Sequence, residues 1–342
     1  YVDAHDNETL YDLGVLKLPK DTTMADRVRM NTLSLATVTL SQTPSFWHAG
    51  TELLRSKSLD RNSYNSGDWF NRIDWTGQES TFGSGLPPAA DNQDKWGIMA
   101  PLLADPALKP GPADMAAAEA SALDLLRVRG EVPLLRLGSA DRIEQKVSFP
   151  NSGAGATPGV ITMLVDDTVG ADVDPDLAGA LVVFNASPEA TTQTVPALSG
   201  RSFTLTSAQA NGSDAVVKTT TWDAATGTVT VPARSVAVLT EAQPVATHVI
   251  AQPSRLLVRH GSSVSVSGKV TADDRSAPVG TVTVTDNGTT VATVTLDADD
   301  RGRFSVTLPA LRRGLHVVRV TFTGAPGWLD SRARGVLPVV AY

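Results

Sequence analysis

The spacing of apolar residues predicts one clear helix in the first third of the chain. It begins after Pro110 and Pro112 and stops at Gly130. Its apolar positions recur at helical spacing: Met115, Ala118, Ala122, Leu125 and Leu126. Proline is favoured in a first helical turn and glycine just after a last one, so we expect a left-handed C-terminal residue at Gly130.

A second stretch, residues 26–40, is compatible with two kinds of element. Its second half, TLSLATVTL, alternates like a strand, whereas Val28, Leu35 and Ala36 would also form one face of a helix. The pattern alone leaves both interpretations open.

From Pro133 onward the pattern changes to short apolar runs separated by Gly, Asn, Asp and Pro. The runs are VITMLV (160–165), ALVVF (180–184), TVTV (228–231) and SVAVLT (235–240). Repeated strands without intervening helices predict an antiparallel β-sandwich.

The last block is rich in threonine and valine and follows a linker-like stretch at 241–248. Its segment TVTVTDNGTTVATVTL (281–296) has two alternating runs around Asn287-Gly288, which is a strong hairpin signal. With the alternating segments around it, the block predicts an immunoglobulin-like sandwich. The chain thus divides into residues 1–132, 133–243 and 249–342.

Composition and charge argue against several classes of binding partner. The net charge is -7 and no block of Lys or Arg is present, which argues against nucleic acid or an anionic membrane surface. No apolar stretch is long enough to span a membrane, and the absence of cysteine excludes a thiolate nucleophile and disulfides. Because the chain begins at Tyr1 rather than methionine, we expect that sequence upstream has been lost.

Motif searches exclude several kinds of site. The sequence has no phosphate-binding glycine loop, no HExxH, no G-x-S-x-G and no EF-hand loop. The acidic run Asp297, Asp299 and Asp300 is best interpreted as a solvated turn. Three histidines near the end of the chain have no partner spacing, and we expect surface or packing roles for them: His248, His260 and His316.

The first block combines aromatic and polar residues. Residues 45–75, SFWHAGTELLRSKSLDRNSYNSGDWFNRIDW, interleave aromatic rings with carboxylates, amides and arginines. A sugar is recognised in this way, because its C–H face stacks on a ring while its hydroxyls bind polar groups. A polar loop on a core that buries the tryptophans would have the same composition, and His5-Asp6 could be a satisfied pair at a strand end.

Three segments resemble the C-terminal part of a type I pullulanase, an α-1,6-glucan debranching enzyme of the α-amylase superfamily (glycoside hydrolase family 13). They are HDNETLYD (5–12), HAGTELLRSKSLDRNSYNSGDWFNRIDW (48–75) and ALKPGPADMAAAEASALDLLRVRGEVPLLRLG (107–138). The resemblance covers residues 1–240, and the last block resembles a bacterial immunoglobulin-like module.

The resemblance implies that residues 1–132 are the C-terminal part of a (β/α)₈ TIM barrel, followed by an antiparallel β-sandwich and an immunoglobulin-like sandwich. YVDAH (1–5) would be strand seven, residues 26–43 the next helix, and SFWHAG (45–50) strand eight. Active sites of such barrels lie at the C-terminal ends of the strands.

The resemblance also assigns site residues. Asp6 matches the carboxylate that stabilises the transition state. The residues matched to substrate binding are His5, Asn7, Asp60, Arg61, Tyr64, Asn65 and Asp68. No cofactor is required and no metal ligand is assigned, although a structural calcium ion is compatible with the family.

The nucleophile and the acid/base of a retaining glycosidase are two carboxylates roughly 5 Å apart. In the family they lie on strands four and five, which would precede Tyr1, and Glu52 matches a supporting position instead. We therefore expect this chain to be inactive alone and to expose apolar strand edges.

The sequence thus predicts a fragment of a secreted bacterial pullulanase, extracellular or at the cell surface, that acts on α-glucans by double displacement. Alternatives are an isoamylase or another member of the superfamily, and a non-catalytic carbohydrate-binding or cell-surface module. The NSYNSGDWFN loop favours pullulanase, and neither predicted sandwich has a cluster of aromatic residues suited to binding glucan.

Overall fold

The computed structural model describes residues 1–342 and divides them into two compact units, Tyr1–Glu241 and Ala242–Tyr342. Each unit has its own apolar core. The predicted boundary between residues 132 and 133 lies inside the first unit and stays a prediction. None of the helices is both long enough and apolar enough to cross a membrane.

The N-terminal half of the first unit is helical. Its helices are α1 (Leu10–Lys17), α2 (Met24–Thr39), α3 (Asp68–Asn71), α4 (Ala89–Asn92), α5 (Trp96–Leu103) and α6 (Pro112–Glu131). Short 3₁₀ turns lie at Thr51–Leu53, Ser63–Asn65, Gln93–Lys95, Pro106–Leu108 and Pro133–Leu135. The ambiguous stretch at 26–40 is helical, and Thr23 caps it by accepting a hydrogen bond from the Asp26 backbone N–H.

Helix α6 forms where the apolar spacing predicts it, but it ends differently. Gly130 lies inside the helix and not in a left-handed position, and the last helical residue is Glu131. Pro133 explains the stop, because a proline disfavours helical backbone at the residue before it. Leu126, expected on the apolar face, is exposed, whereas Met115 and Leu125 are buried.

The structure corrects the prediction of two barrel strands. Neither YVDAH (1–5) nor SFWHAG (45–50) is a β-strand in the structure. The two segments are joined by a hydrogen bond from the His48 backbone N–H to the Asp3 side chain, 3.4 Å long, and by an edge contact between the rings of Tyr1 and Phe46. A strand requires a ladder of backbone hydrogen bonds, and these segments have no such ladder here.

The C-terminal half of the first unit is a sandwich. Its elements are α7 (Ala140–Lys146), β1 (Val147–Ser148), β2 (Val160–Asp166), β3 (Leu177–Asn185), β4 (Thr191–Thr194), β5 (Thr204–Leu205), α8 (Ser207–Ala210), β6 (Thr221–Asp223), β7 (Thr228–Val231) and β8 (Ser235–Ala242), with 3₁₀ turns at Pro196–Leu198 and Val217–Thr219. A five-stranded sheet, β1-β2-β3-β8-β5, packs against a three-stranded sheet, β4-β7-β6.

The large sheet is covered on both faces. Leu181 and Val183 of β3 pack in the cluster that contains Val229 of the small sheet. Ala180 and Val182, which point the other way, pack in the cluster that contains Leu125 of α6. Burial on both faces explains why β3 is a continuous apolar run rather than an alternating one, and it connects the helical half to the sandwich.

The second unit is a sandwich of two sheets over one core. Its strands are β9 (Thr247–Pro253), β10 (Leu257–Val258), β11 (Ser265–Ala272), β12 (Gly280–Asp286), β13 (Thr289–Leu296), β14 (Arg303–Thr307), β15 (Gly314–Gly324), β16 (Ser331–Arg332) and β17 (Leu337–Ala341). The sheets are β10-β17-β15-β12-β13, with β16 beside β15, and β14-β11-β9.

The predicted hairpin is present, with β12 and β13 antiparallel around Asn287-Gly288. Both turn residues have positive φ, 47° and 86°, as a type I′ turn requires. The acidic run forms a turn in which Asp297 Oδ1 accepts the backbone N–H groups of Asp299 and Asp300.

Candidate functional site

The predicted catalytic carboxylate lies on an exposed turn. His5, Asp6 and Asn7 precede the N-cap of α1, and the side chains of His5 and Asp6 are 83% and 78% exposed. His5 Nε2 lies 3.7 Å from Asp6 Oδ1. Asn7 has a φ of 62°, so the turn is left-handed at its last residue. Both predicted sugar-binding groups therefore point into solvent from one tight turn.

A buried carboxylate on α1 organises the loop beside this turn. Asp12 Oδ1 accepts the Ser56 hydroxyl at 2.6 Å, and Asp12 Oδ2 accepts the backbone N–H groups of Lys57 and Leu59 at 2.8 and 3.2 Å. Burial raises the pKa of Asp12 to about 6, although these hydrogen bonds favour the carboxylate. Asp12 thus replaces the backbone partners that residues 57–59 would have in a regular element.

The same loop has unusual backbone. Leu54, Ser58 and Leu59 have positive φ, between 54° and 65°. Such a conformation is strained for residues with a side chain, by roughly 1–3 kcal/mol each, and persists only where the surroundings enforce it. Here the surroundings include the two N–H bonds to Asp12 and complete burial of Ser58 and Leu59.

Asp60 and Arg61 follow the strained loop and differ in exposure. Asp60 is buried, and both of its oxygens are occupied: they accept hydrogen bonds from the Asn62 backbone, the Asn92 amide and the Ser66 hydroxyl. Arg61 is exposed, and its Nε donates to Asn7 Oδ1 at 3.3 Å. The structure therefore brings Arg61 to the His5–Asn7 turn, whereas Asp60 supports the loop from below.

The remaining predicted residues lie on the next part of the loop. Tyr64, Asn65 and Asp68 are all exposed, and Tyr64 reaches 84%. Asn71 fixes the backbone that carries them, because its amide donates to the carbonyls of Ser63 and Gly67. These three side chains make no hydrogen bond to the His5–Asn7 turn in the structure.

Two tryptophans of this loop are on the surface. Trp69 and Trp75 are 56% and 64% exposed. The Trp69 indole donates to the Ser84 carbonyl at 3.1 Å, and the Arg72 guanidinium lies 5.3 Å from its ring centroid. Trp47 and Trp96, in contrast, are partly buried and hydrogen-bonded to the protein. The interpretation that the tryptophans of this block are buried in a core therefore holds for only some of them.

The structure has no group of three or more His, Cys, Asp or Glu side chains arranged to hold a metal ion. A cleft of about 370 Å³ lies between α2, α6 and the start of β8, and none of the predicted site residues lines it. The candidate site is thus an open surface formed by the His5–Asn7 turn and residues 60–75.

Sequence patterns missed Asp12, Lys57 and Asn92 as site residues. All three support the turn or the loop through side-chain hydrogen bonds to residues distant in sequence. Asp12 and Lys57 lie inside the two segments HDNETLYD and RSKSLD, but nothing in their local spacing indicates that they meet. Their burial is visible only in the structure, since the segment RSKSLD is mostly polar.

Two segments of the chain match models of known protein families. Residues 77–242 match the family model of pullulanase-type alpha-1,6-glucosidases, C-terminal, and residues 249–340 match the bacterial Ig-like domain, group 3. The second match agrees with the predicted immunoglobulin-like block.

Curated pullulanases are similar to most of the chain. Pullulanase 1, chloroplastic, of Arabidopsis thaliana is 42% identical over 248 residues, which are 71% of this chain and 26% of the relative. The pullulanase of Klebsiella pneumoniae is 38% identical over 241 residues, which are 70% of this chain and 22% of the relative. The chain therefore spans about a quarter of the length of these relatives.

Solved pullulanase structures are also similar to the chain. The maltotriose complex of PulA from Klebsiella pneumoniae has a TM-score of 0.66 and 37% identity, covering 71% of this chain and 26% of that one. PulA from Klebsiella oxytoca has a TM-score of 0.65 at the same identity. Residues 77–242 are therefore similar to the pullulanase-type C-terminal family, residues 249–340 are similar to the group 3 bacterial Ig-like family, and the chain is similar to the C-terminal region of pullulanases.

Proposed function

We propose that this chain is the C-terminal part of a secreted bacterial pullulanase, whose complete form hydrolyses α-1,6 branch linkages in pullulan, amylopectin and limit dextrins. The observation that carries the proposal is the identity of 42% and 38% with curated pullulanases over 248 and 241 residues. Both alignments are longer than the match at 77–242, so the relation extends beyond the C-terminal family domain.

Residues 1–132 are, in this proposal, the last two βα units of a (β/α)₈ barrel. The TM-score of 0.66 with a solved pullulanase supports this assignment. The positions of the two extended segments agree with it as well, since the His48 backbone N–H reaches the Asp3 side chain as neighbouring barrel strands would allow. Tyr1–His5 and Ser45–Gly50 would become strands when neighbouring strands supply a ladder of backbone hydrogen bonds.

Asp6 is the proposed transition-state-stabilising carboxylate, and His5 and Asn7 bind the same sugar. The support is their exposure on one turn and the hydrogen bond between Asn7 and Arg61, which brings the turn next to the loop. A carboxylate that binds sugar hydroxyls more strongly as the ring flattens lowers the barrier, because only interactions that strengthen in the transition state increase turnover.

The groove itself is proposed to run along residues 61–75. Exposed Tyr64, Trp69 and Trp75 offer flat faces for glucose units, and exposed Arg61, Asn65 and Asp68 offer hydrogen-bonding groups. Asp60 contributes differently from a direct ligand, because its oxygens hold Asn62, Ser66 and Asn92. The ligand would be an α-glucan, as maltotriose is for the Klebsiella pneumoniae PulA complex.

The chain alone is proposed to be inactive. The retaining mechanism needs a nucleophile and an acid/base carboxylate about 5 Å apart, and the resemblance places both on strands that precede Tyr1. Two neighbouring carboxylates, Asp12 and Asp60, are fully buried and hydrogen-bonded to the protein, so they are not free to take either role.

The test is the release of reducing ends from pullulan by the complete enzyme, by the 342-residue chain, and by the complete enzyme with Asp6→Asn. We expect the complete enzyme to be active, the chain to be inactive, and Asp6→Asn to lose at least about 10²-fold in kcat, as for removal of a transition-state-stabilising group. Asp21→Asn, at an exposed position between α1 and α2, is the matched control. Activity of the chain alone, or near-normal turnover of the Asp6→Asn enzyme, would refute the proposal.

A further inference from the structure

The amine of Lys57 is buried against the backbone of the His5–Asn7 turn. Its side chain is among the largest that are fully buried, with 1% of the residue exposed. The amine donates to the carbonyl oxygen of Asn7 at 2.8 Å and to that of His5 at 3.3 Å. Burial lowers the pKa of Lys57, while the nearby carboxylates of Asp60 and Asp12 act in the opposite direction. Burying an ammonium group is unfavourable unless its hydrogen bonds are satisfied, so these two carbonyls are its compensation.

The two carbonyls flank Asp6. One cation thus binds the carbonyl oxygens of the residues before and after the residue proposed to stabilise the transition state. Asn7 has left-handed backbone, which a non-glycine residue adopts at a free-energy cost unless other contacts enforce it. The shorter of the two bonds goes to Asn7 itself, so the amine stabilises the turn at its strained residue.

The amine is in turn fixed by its own backbone. The Lys57 N–H donates to Asp12 Oδ2, and the following residues, Ser58 and Leu59, are held in positive φ. Asp12 belongs to α1, the helix that begins directly after the His5–Asn7 turn. Besides the hydrogen bond from Arg61 to Asn7, the loop and the turn are therefore connected through Asp12 at the helix and through the Lys57 amine.

The geometry does not let Lys57 contact a sugar. Its Nζ lies below the turn, bound to main-chain oxygens, while the side chains of His5 and Asp6 point outward into solvent. Any effect on a ligand must pass through the backbone of residues 5–7.

We propose that Lys57 is a positioning residue that sets the direction of Asp6 and His5 toward the bound sugar by holding both carbonyls that flank Asp6. This inference rests on the proposed function. It differs from a purely structural role because it predicts an effect on turnover greater than on substrate binding or on stability.

The experiment compares Lys57→Met with the matched control Lys109→Met, at an exposed lysine, in the complete enzyme acting on pullulan. Methionine has nearly the same length and no donor. We expect Lys57→Met to lower kcat about 10²-fold, as for a displacement of about 1 Å in a catalytic group. KM should change by less than about threefold if the groove contacts at residues 61–75 remain. An unchanged kcat, or a loss confined to KM, in an enzyme whose wild type is active would overturn the positioning role. An inactive wild type would instead overturn the proposed function.

A measurement on the wild-type chain of 342 residues keeps the test independent of how the variant folds. In NMR spectra, the Lys57 ammonium protons should exchange with water much more slowly than those of Lys109. They should also show scalar coupling across the hydrogen bond to the carbonyl carbons of Asn7 and His5. An ammonium group that exchanges as fast as that of Lys109 would overturn the proposal.

Discussion

Lys146 Nζ lies 2.7 Å from Asp167 Oδ1, and both side chains are completely buried where α7 meets the turn after β2. Lys146 also donates to the carbonyls of Asp167 and Val169. Asp167 in turn accepts the backbone N–H groups of Val173 and Asp174. Burial acts to raise the pKa of Asp167, but the bond from Lys146 and these N–H groups outweigh it and hold the pKa below its usual value.

Lys146→Met should destabilise the first unit by about 3–5 kcal/mol, because it leaves a buried carboxylate without its counter-charge. Adding Asp167→Asn to the same chain removes that charge and should recover part of the loss. Urea unfolding followed by tryptophan fluorescence measures both, with exposed Lys218→Met as the control. Equal stability of the single and double variants would mean that the two charges are not coupled.

Asp12 gives a prediction about pH. Its pKa is about 6 in the folded chain and 3.8 in the unfolded one, so the folded state binds more protons between these values. This group therefore lowers stability as the pH rises from about 4 to about 6, with no further change above. Asp12→Asn should remove that contribution. Between pH 4 and 6 the free energy of unfolding of the wild type should therefore fall relative to that of the variant. Above this range the difference between the two proteins should be constant.

The companion variant Asp12→Ala separates the charge from the hydrogen bonds. It leaves the backbone N–H groups of Lys57 and Leu59 without their acceptor, at about 1–3 kcal/mol each. Hydrogen exchange at these two amides should therefore increase in Asp12→Ala and remain slow in Asp12→Asn. The same exchange in both variants would contradict the anchoring role of the carboxylate.

His316 predicts a pH dependence of the same sign in the second unit, at higher pH. Its Nδ1 lies 2.5 Å from Asp286 Oδ2 and its Nε2 lies 2.8 Å from the Arg312 carbonyl oxygen, so both ring nitrogens face acceptors. The hydrogen bond to the Arg312 carbonyl and the one to Asp286 raise the pKa of His316, against the effect of burial. The imidazolium form donates to both partners, whereas neutral imidazole can donate to only one.

Because the folded pKa of His316 is raised, its stabilising effect is complete below the unfolded pKa of about 6.5 and is lost as the pH rises through the folded value. The second unit should therefore unfold more easily above neutral pH, and His316→Gln should flatten this dependence. Thermal unfolding of the whole chain between pH 5.5 and 9 measures it. His248→Gln, at a more exposed His–Asp pair, serves as the control. A wild type with no pH dependence beyond that of His316→Gln would disprove the assignment.

Removing the second unit tests its contribution to the proposed activity. Residues 249–342 form their own apolar core and match a family of their own. Deleting them from the complete enzyme should leave kcat on soluble pullulan within about twofold, since the proposed groove residues 5–7 and 60–75 lie in the first unit. A collapse of turnover with an unchanged melting transition of the first unit would show that the Ig-like domain takes part in catalysis.

Strands and hairpins were the most predictable part of the fold. The runs at 160–165, 180–184, 228–231 and 235–240 all lie in strands, because short apolar runs between turn residues have few other stable arrangements. Several helices were not predicted. Helices α1 and α7 are short and begin at capping residues, Thr9 and Ser139, whose effect is local and does not create an apolar stripe.

The site was predictable in part. The His5–Asn7 turn and the loop at 60–68 came from a resemblance between segments, and composition alone left them compatible with a buried core. Asp12 and Lys57 could not be found in this way, because their function depends on pairs separated by 44 to 52 residues. The burial of Asp60 is likewise a property of its three partners and not of its own segment.

The exposure of His5 and Asp6 has a consequence for affinity. A side chain that is about four-fifths exposed already has water on its polar atoms, so a sugar hydroxyl would replace one hydrogen bond with another of similar strength. The turn by itself therefore gains little free energy from a glucose unit. A neighbouring surface that excludes this water would increase the affinity without contacting the sugar. The selectivity of the turn for its ligand would then depend on how completely water is excluded from it.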